Sequence, residues 1–76
     1  MKELIEFVAK TLVDDADAVH TSAYERGEQT IIELEVAPDD LGKVIGRQGR
    51  TARALRTLLA AAGQKSRRRT QLDILD

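Results

Sequence analysis

Lys43-Val44-Ile45-Gly46-Arg47-Gln48-Gly49-Arg50 is the stretch on which the reading of this chain turns. Gly46 and Gly49 bracket Arg47 and Gln48, and both flanks read as helical. Glycine at each end lets the chain reverse tightly and brings backbone N–H groups close to a phosphate with no Cβ in the way, while Arg47 supplies charge. Gly49 then opens a helix whose free N–H groups and dipole favour an anion. A bare Gly-x-x-Gly is weak evidence, because five glycines in 76 residues produce one by chance about once in three such chains. Its flanks carry the weight.

Upstream of the loop, residues 29–37 alternate, with Ile32, Leu34 and Val36 on one face and Glu33 and Glu35 on the other, as a sheet covered on one side requires. Pro38 ends that strand and can start a helix, and Asp39 and Asp40 complement the dipole of a short helix running to about Ile45. Downstream, Ala52, Leu55, Leu59 and Ala62 mark the buried stripe of a helix over about 49–62, with Gly63 as its stop. A last strand over about 67–75 turns Leu72 and Ile74 inward. At the start of the chain Leu4, Ile5, Val8 and Leu12, with Phe7 beside them, predict an amphipathic helix over 2–13 packed on the core. Asp14, Asp15 and Asp17 oppose a helix C-terminus and belong to the turn that follows. Residues 18–25, including Val19, Thr21 and Tyr24, predict a strand that turns at Arg26-Gly27-Glu28. The order is therefore α-β-β-α-α-β, an α+β arrangement of a three-stranded mixed sheet with three helices packed on it. The first two strands form an antiparallel hairpin, and the helical crossover makes the second and third parallel neighbours.

A Gly-x-x-Gly loop in this context resembles the KH domain, whose loop grips the backbone of about four nucleotides of single-stranded RNA or DNA. Within that class the segment GKVIGRQGRTARALRT (Gly42 to Thr57) and the small size are similar to the KhpA (YlqC) family, small bacterial single-KH-domain RNA-binding proteins. The resemblance covers nearly the whole chain and is most specific from Val44 to Arg50. It implies one type II KH domain over 1–76, with its motif core at about 29–75. It further implies an RNA chaperone or post-transcriptional regulator that acts with a larger KhpB/Jag-type KH partner in cell elongation, division and envelope homeostasis.

The composition bears on what such a chain can do. Net charge is only −1, yet residues 1–42 hold three basic against eleven acidic residues, while residues 43–76 hold nine basic against Asp73 and Asp76. The halves thus carry −8 and +7, and the basic half begins at the loop. That asymmetry points to an anionic partner for one face, although two opposite halves also complement each other within a fold. With no cysteine and a single histidine, His20, a thiolate or Cys/His zinc site and a disulfide framework are excluded. Glu3 and Glu6 interrupt the apolar start, so it lacks the core of a signal peptide, and no run approaches membrane-spanning length; a cytoplasmic protein with no membrane insertion is expected. No nucleophile and base, metal set or Walker lysine and hydroxyl supports an enzyme, and no cofactor is expected.

Candidate contacts follow from the loop outward. Arg47 and Gln48 are expected at the nucleic-acid backbone, with Lys43, Gly46 and Gly49 completing the clamp. Arg50, Arg53 and Arg56 fall within about 120° on the next helix and line the path of a held strand, or else are solvated surface charges. In the family Val44 and Ile45 help floor the groove, and one of them must also be core. Ala52 stands where many KH domains carry a branched aliphatic, and Phe7 and Tyr24 lie away from the motif. Without aromatic stacking near the loop, binding should be weak and only loosely sequence-selective. Arg67-Arg68-Arg69 either extends the basic surface or supplies solvated charge where a strand begins. Finally, Leu58 with Ala54 and Ala61 widens the apolar face of the second long helix beyond what packing on a sheet demands, which predicts a symmetric homodimer through that edge, or else Leu58 is the rim of the core; a heteromer with a KhpB/Jag-type KH protein is what the family resemblance implies. The competing reading is a KH-fold adaptor for proteins with little RNA affinity of its own.

Overall fold

Apolar spacing and turn chemistry produce six regular elements in the computed structural model, which describes residues 1–76: α1 (Lys2–Leu12), β1 (His20–Arg26), β2 (Gln29–Glu35), α2 (Leu41–Ile45), α3 (Arg50–Lys65) and β3 (Arg69–Ile74). Single 3₁₀ turns at Ala16–Ala18, Pro38–Asp40 and Arg47–Gly49 join them. The sheet order is β1-β2-β3, with β1 antiparallel and β3 parallel to the central β2. In register, Ala23, Ile32 and Leu72 lie abreast, and Leu34 stands beside Ile74.

Alternation along β2 sends Thr30, Ile32 and Leu34 to the face that meets the helices. Ile32 and Leu34 join Ile5, Val44, Leu55, Leu59 and Leu72 in one buried cluster. Each such side chain contributes about 1.5–3 kcal/mol by leaving water. The central strand is covered on its other face too, since Ile31 is buried between the register positions of Tyr24 and Gln71.

Three details depart from the pattern-based reading. The buried seam of α1 is Ile5 and Ala9, so Phe7, expected beside the core, is 68% exposed, with Leu4 and Leu12 also on the surface. Strand β1 begins two residues late because Ala16–Ala18 forms a turn first. Gly63 does not stop α3; the helix runs on to Lys65. Its missing Cβ is needed for another reason, since a Cβ there would lie 2.7 Å from both the Arg68 carbonyl oxygen and Thr70 Cγ2. The helix ends in a Schellman pattern, in which Arg68 N–H donates to Gly63 O (2.9 Å) and Arg67 N–H to Gln64 O (3.2 Å). Arg67 occupies the left-handed position, φ 58°, that glycine usually fills.

Candidate nucleic-acid interface

The loop is built from α2 outward. Val44 is fully buried and Ile45 is 38% exposed, so of the two groove-floor candidates Val44 is the core anchor and Ile45 the outward one. Val44 is thereby removed from the set of residues able to touch a ligand. Gly46, at φ 77° and ψ 169°, adopts a conformation open essentially to glycine alone. A Cβ on it would fall 2.2 Å from Thr51 Oγ1 and 2.8 Å from Thr51 N, so the chain passes directly over the first turn of α3. Gln48 (φ 56°) and Gly49 (φ 73°) are left-handed, and Gly49 N–H donates to Gly46 O at 3.1 Å. The reversal leaves Arg47 and Gln48 exposed at its apex.

Beside this turn lies an open groove of about 560 Å³ lined by Ile45, Gly49, Ala52, Arg53, Arg56 and Ile74. Its floor is apolar and its rim cationic. Arg47, Arg50, Arg53 and Arg56 have no carboxylate within 4.0 Å, whereas Lys10, Lys43 and Arg68 all have one. Arg50 instead donates to Gln48 Oε1 (3.3 Å), and Arg56 to the Leu72 carbonyl (3.4 Å). Unpaired guanidinium groups beside an apolar floor suit a ligand with a charged backbone and planar apolar bases.

Lys43 is differently placed. Its ammonium donates to Asp14 and to Asp40 Oδ1 (3.2 Å), and it is not among the groove-lining residues. Asp40 is only 3% exposed and accepts the backbone N–H of Asp15 (3.0 Å) and of Asp14 (3.3 Å). The Asp15 N–H, helped by that of Asp14 and by Lys43 against the cost of burial, holds the Asp40 carboxyl below the usual aspartate range. Hydrogen bonds to Asp14 and Asp40 raise the Lys43 ammonium above the usual lysine value. Asp40 therefore does more than complement a helix dipole, because it ties the segment after α1 to the short helix that carries the loop.

Other expected residues fall elsewhere. Arg68 turns inward to Thr30 Oγ1 (2.7 Å) and the Gln29 carbonyl (3.2 Å), so it fastens β3 to the hairpin instead of extending the basic surface. Ala54, Leu58 and Ala61 lie exposed on one side of α3, away from its buried Ala52, Leu55 and Leu59, with Leu58 43% exposed. Two contributors to the loop and groove escaped the motif reading. Ile74 was visible only as an inward strand residue, and Thr51 carried no local signal, because both roles depend on tertiary contacts. No helix is long and apolar enough to cross a membrane, and no three His, Cys, Asp or Glu residues converge as a metal site.

An α-β-β-α-α-β fold with a Gly-x-x-Gly turn between its second and third helices is a KH domain. More narrowly, the chain belongs to the KhpA/KhpB family of KH domains, whose model matches residues 2–74. It is 54% identical over 76 residues to a protein of Halalkalibacterium halodurans, covering 100% of both chains. It is 55% identical over 74 residues to one of Borreliella burgdorferi, covering 97% of this chain and 90% of the relative. A protein of Aquifex aeolicus is 50% identical over 76 residues, covering 100% of this chain and 96% of that one. All three bear the name RNA-binding protein KhpA. No solved structure matches the chain at a significant level.

Proposed function

We propose that this protein is a single-stranded RNA-binding module that acts without chemistry, gripping the sugar-phosphate backbone at Gly46–Gly49. The observation that carries the reading is the Gly46 turn, bearing Arg47 and followed by Arg50, beside a groove lined by Arg53 and Arg56, four arginines with no carboxylate partner. Arg47, Gln48 and Arg50 contact the backbone, Ile45 and Arg53 face the bases, and Lys43 braces the loop through its two aspartates. Relatives named for RNA binding support the same ligand. In this reading the chain is a cytoplasmic RNA chaperone or post-transcriptional regulator, and not an enzyme. It works as a homodimer or with a KhpB/Jag-type KH partner, in cell elongation, division and envelope homeostasis.

Competition between single-stranded and duplex RNA across salt concentrations tests the ligand class. Single strands should win, because duplex bases are not splayed into the groove. For single strands log affinity should fall with log salt at about −0.7 per phosphate contact, so two to four arginine contacts give a shallow negative slope. Preference for duplex, or affinity indifferent to salt, would contradict the reading.

A further inference from the structure

We infer that the open face of the sheet holds one nucleotide of a single-stranded RNA at its hairpin end, with the base stacked on Tyr24 and the phosphate between Arg26 and Arg69. This site goes beyond the loop and groove, shares no residue with them, and lies on the side of the sheet turned away from the helices. Ile32, Leu34 and Leu72 pack against the helices, so their neighbours along each strand point to the other side. The strand register sorts that side into rows. Arg26, Gln29 and Arg69 stand abreast, then Tyr24, Ile31 and Gln71, then Ser22, Glu33 and Asp73. Bonds within the face, from Ser22 Oγ to Glu33 Oε1 (3.1 Å) and from Gln29 Nε2 to Gln71 Oε1 (3.4 Å), bring these side chains together.

The rows differ in chemistry. Arg26 and Arg69 are exposed, and neither has a carboxylate within 4.0 Å. Their α-carbons are two strand spacings apart, about 9.5 Å, so both guanidinium groups can close on one phosphate. Between them is an open cleft of about 230 Å³ lined by these two, Gln29 and Glu28. Glu28, in the hairpin turn, is the one acid there, and it pairs with neither arginine. On the next row Ile31 is only 1% exposed although no helix covers it, so neighbours on its own face shut out water. Tyr24 is the largest of them and the only aromatic residue of the sheet. It remains 40% exposed, which leaves ring surface for a base. Two residues along a strand span about 6.6 Å, close to the reach from a phosphate to the base of its own nucleotide. Glu33 and Asp73 on the third row repel a second phosphate, which limits the site to one nucleotide.

Tyr24 is the only tyrosine and there is no tryptophan, so tyrosine emission reports on this site. Titration with triadenylate, corrected for absorption against a free tyrosine amide, should quench that emission as a base stacks on the ring. Adenosine, which lacks the phosphate, should need about tenfold more ligand for the same quench. Arg26→Gln with Arg69→Gln should weaken triadenylate to the level of adenosine, and both side chains are exposed, so the fold should hold. In the loop variant Arg47→Asp, Gln48→Asp the quench should persist within about twofold. A quench lost in that loop variant, or indifferent to the two arginine replacements, would overturn the site. If labelled triadenylate binds by anisotropy while tyrosine emission stays unchanged, the sheet site falls and the loop reading stands; if neither signal appears, both fall.

Discussion

Gly46 and Gly49 occupy equivalent places in the motif, but their surroundings differ. Gly46 combines a glycine-only conformation with a Cβ position already filled by Thr51, while Gly49 is left-handed with nothing within 4 Å of its missing Cβ. Gly46→Ala should therefore cost at least about 3 kcal/mol, and Gly49→Ala only about 1 kcal/mol. Urea denaturation midpoints separate the two, and equal losses would contradict the loop geometry. Arg67 presents the reverse case, a large side chain in the left-handed position that closes α3. Arg67→Gly should stabilise the protein by about 0.5–1 kcal/mol, the left-handed penalty less the added chain entropy; thermal melting of the variant measures it, and a loss would show that the Arg67 side chain contributes more than its strain. Which glycine is indispensable was not legible in the sequence, because Thr51 reaches Gly46 only through the fold.

At the level of elements, α2 spans only Leu41–Ile45 and cannot hold its place unaided. Val44 anchors it in the core, and Asp40 ties it to the backbone after α1. The Asp40 carboxyl is held below its ordinary value, so its contribution is fully present above the unfolded aspartate value, about 4, and is lost as pH falls through the lower folded value. Lys43 is raised, so its contribution is present below the unfolded lysine value, about 10.4, and is lost as pH rises through the higher folded value. Asp40→Asn should lower stability at neutral pH and flatten the acid limb below about pH 4 relative to wild type. Parallel melting curves across that range would show that the tie is not the source of the acid sensitivity. Periodicity made the elements themselves legible: the alternation of Ile32, Leu34 and Val36, and the stripe of Ala52, Leu55 and Leu59, both emerge as the buried faces. It misplaced the seam of α1 because Leu4, Phe7 and Leu12 are as apolar as Ile5 and outnumber the residues the sheet covers. The Asp40 bridge was illegible because its donors lie 25 and 26 residues away.

Across the whole molecule, the basic half of the chain places four arginines without carboxylate partners around the loop and groove; of its other five cations, Lys43 and Arg68 are paired internally and Lys65, Arg67 and Arg69 are not. The charge division was readable from residue order alone, but which cations stay unpaired was not. A chain of 76 residues buries a modest fraction of its surface, about 60% for a domain near this size, and the exposed Leu58 on α3 offers more. If that edge carries self-association, Leu58→Glu gives a folded monomer by sedimentation; a wild type already monomeric at high concentration would remove the proposal. Central to the account is the claim that the Gly46–Gly49 turn grips a nucleic-acid backbone through its two exposed apex residues. The most direct measurement is the binding of single-stranded oligo-RNA by the double variant Arg47→Asp, Gln48→Asp, with its melting temperature taken alongside. The account predicts unchanged melting and binding weakened by about a hundredfold or more, as two polar contacts become two repulsions, whereas binding equal to the parent would contradict it.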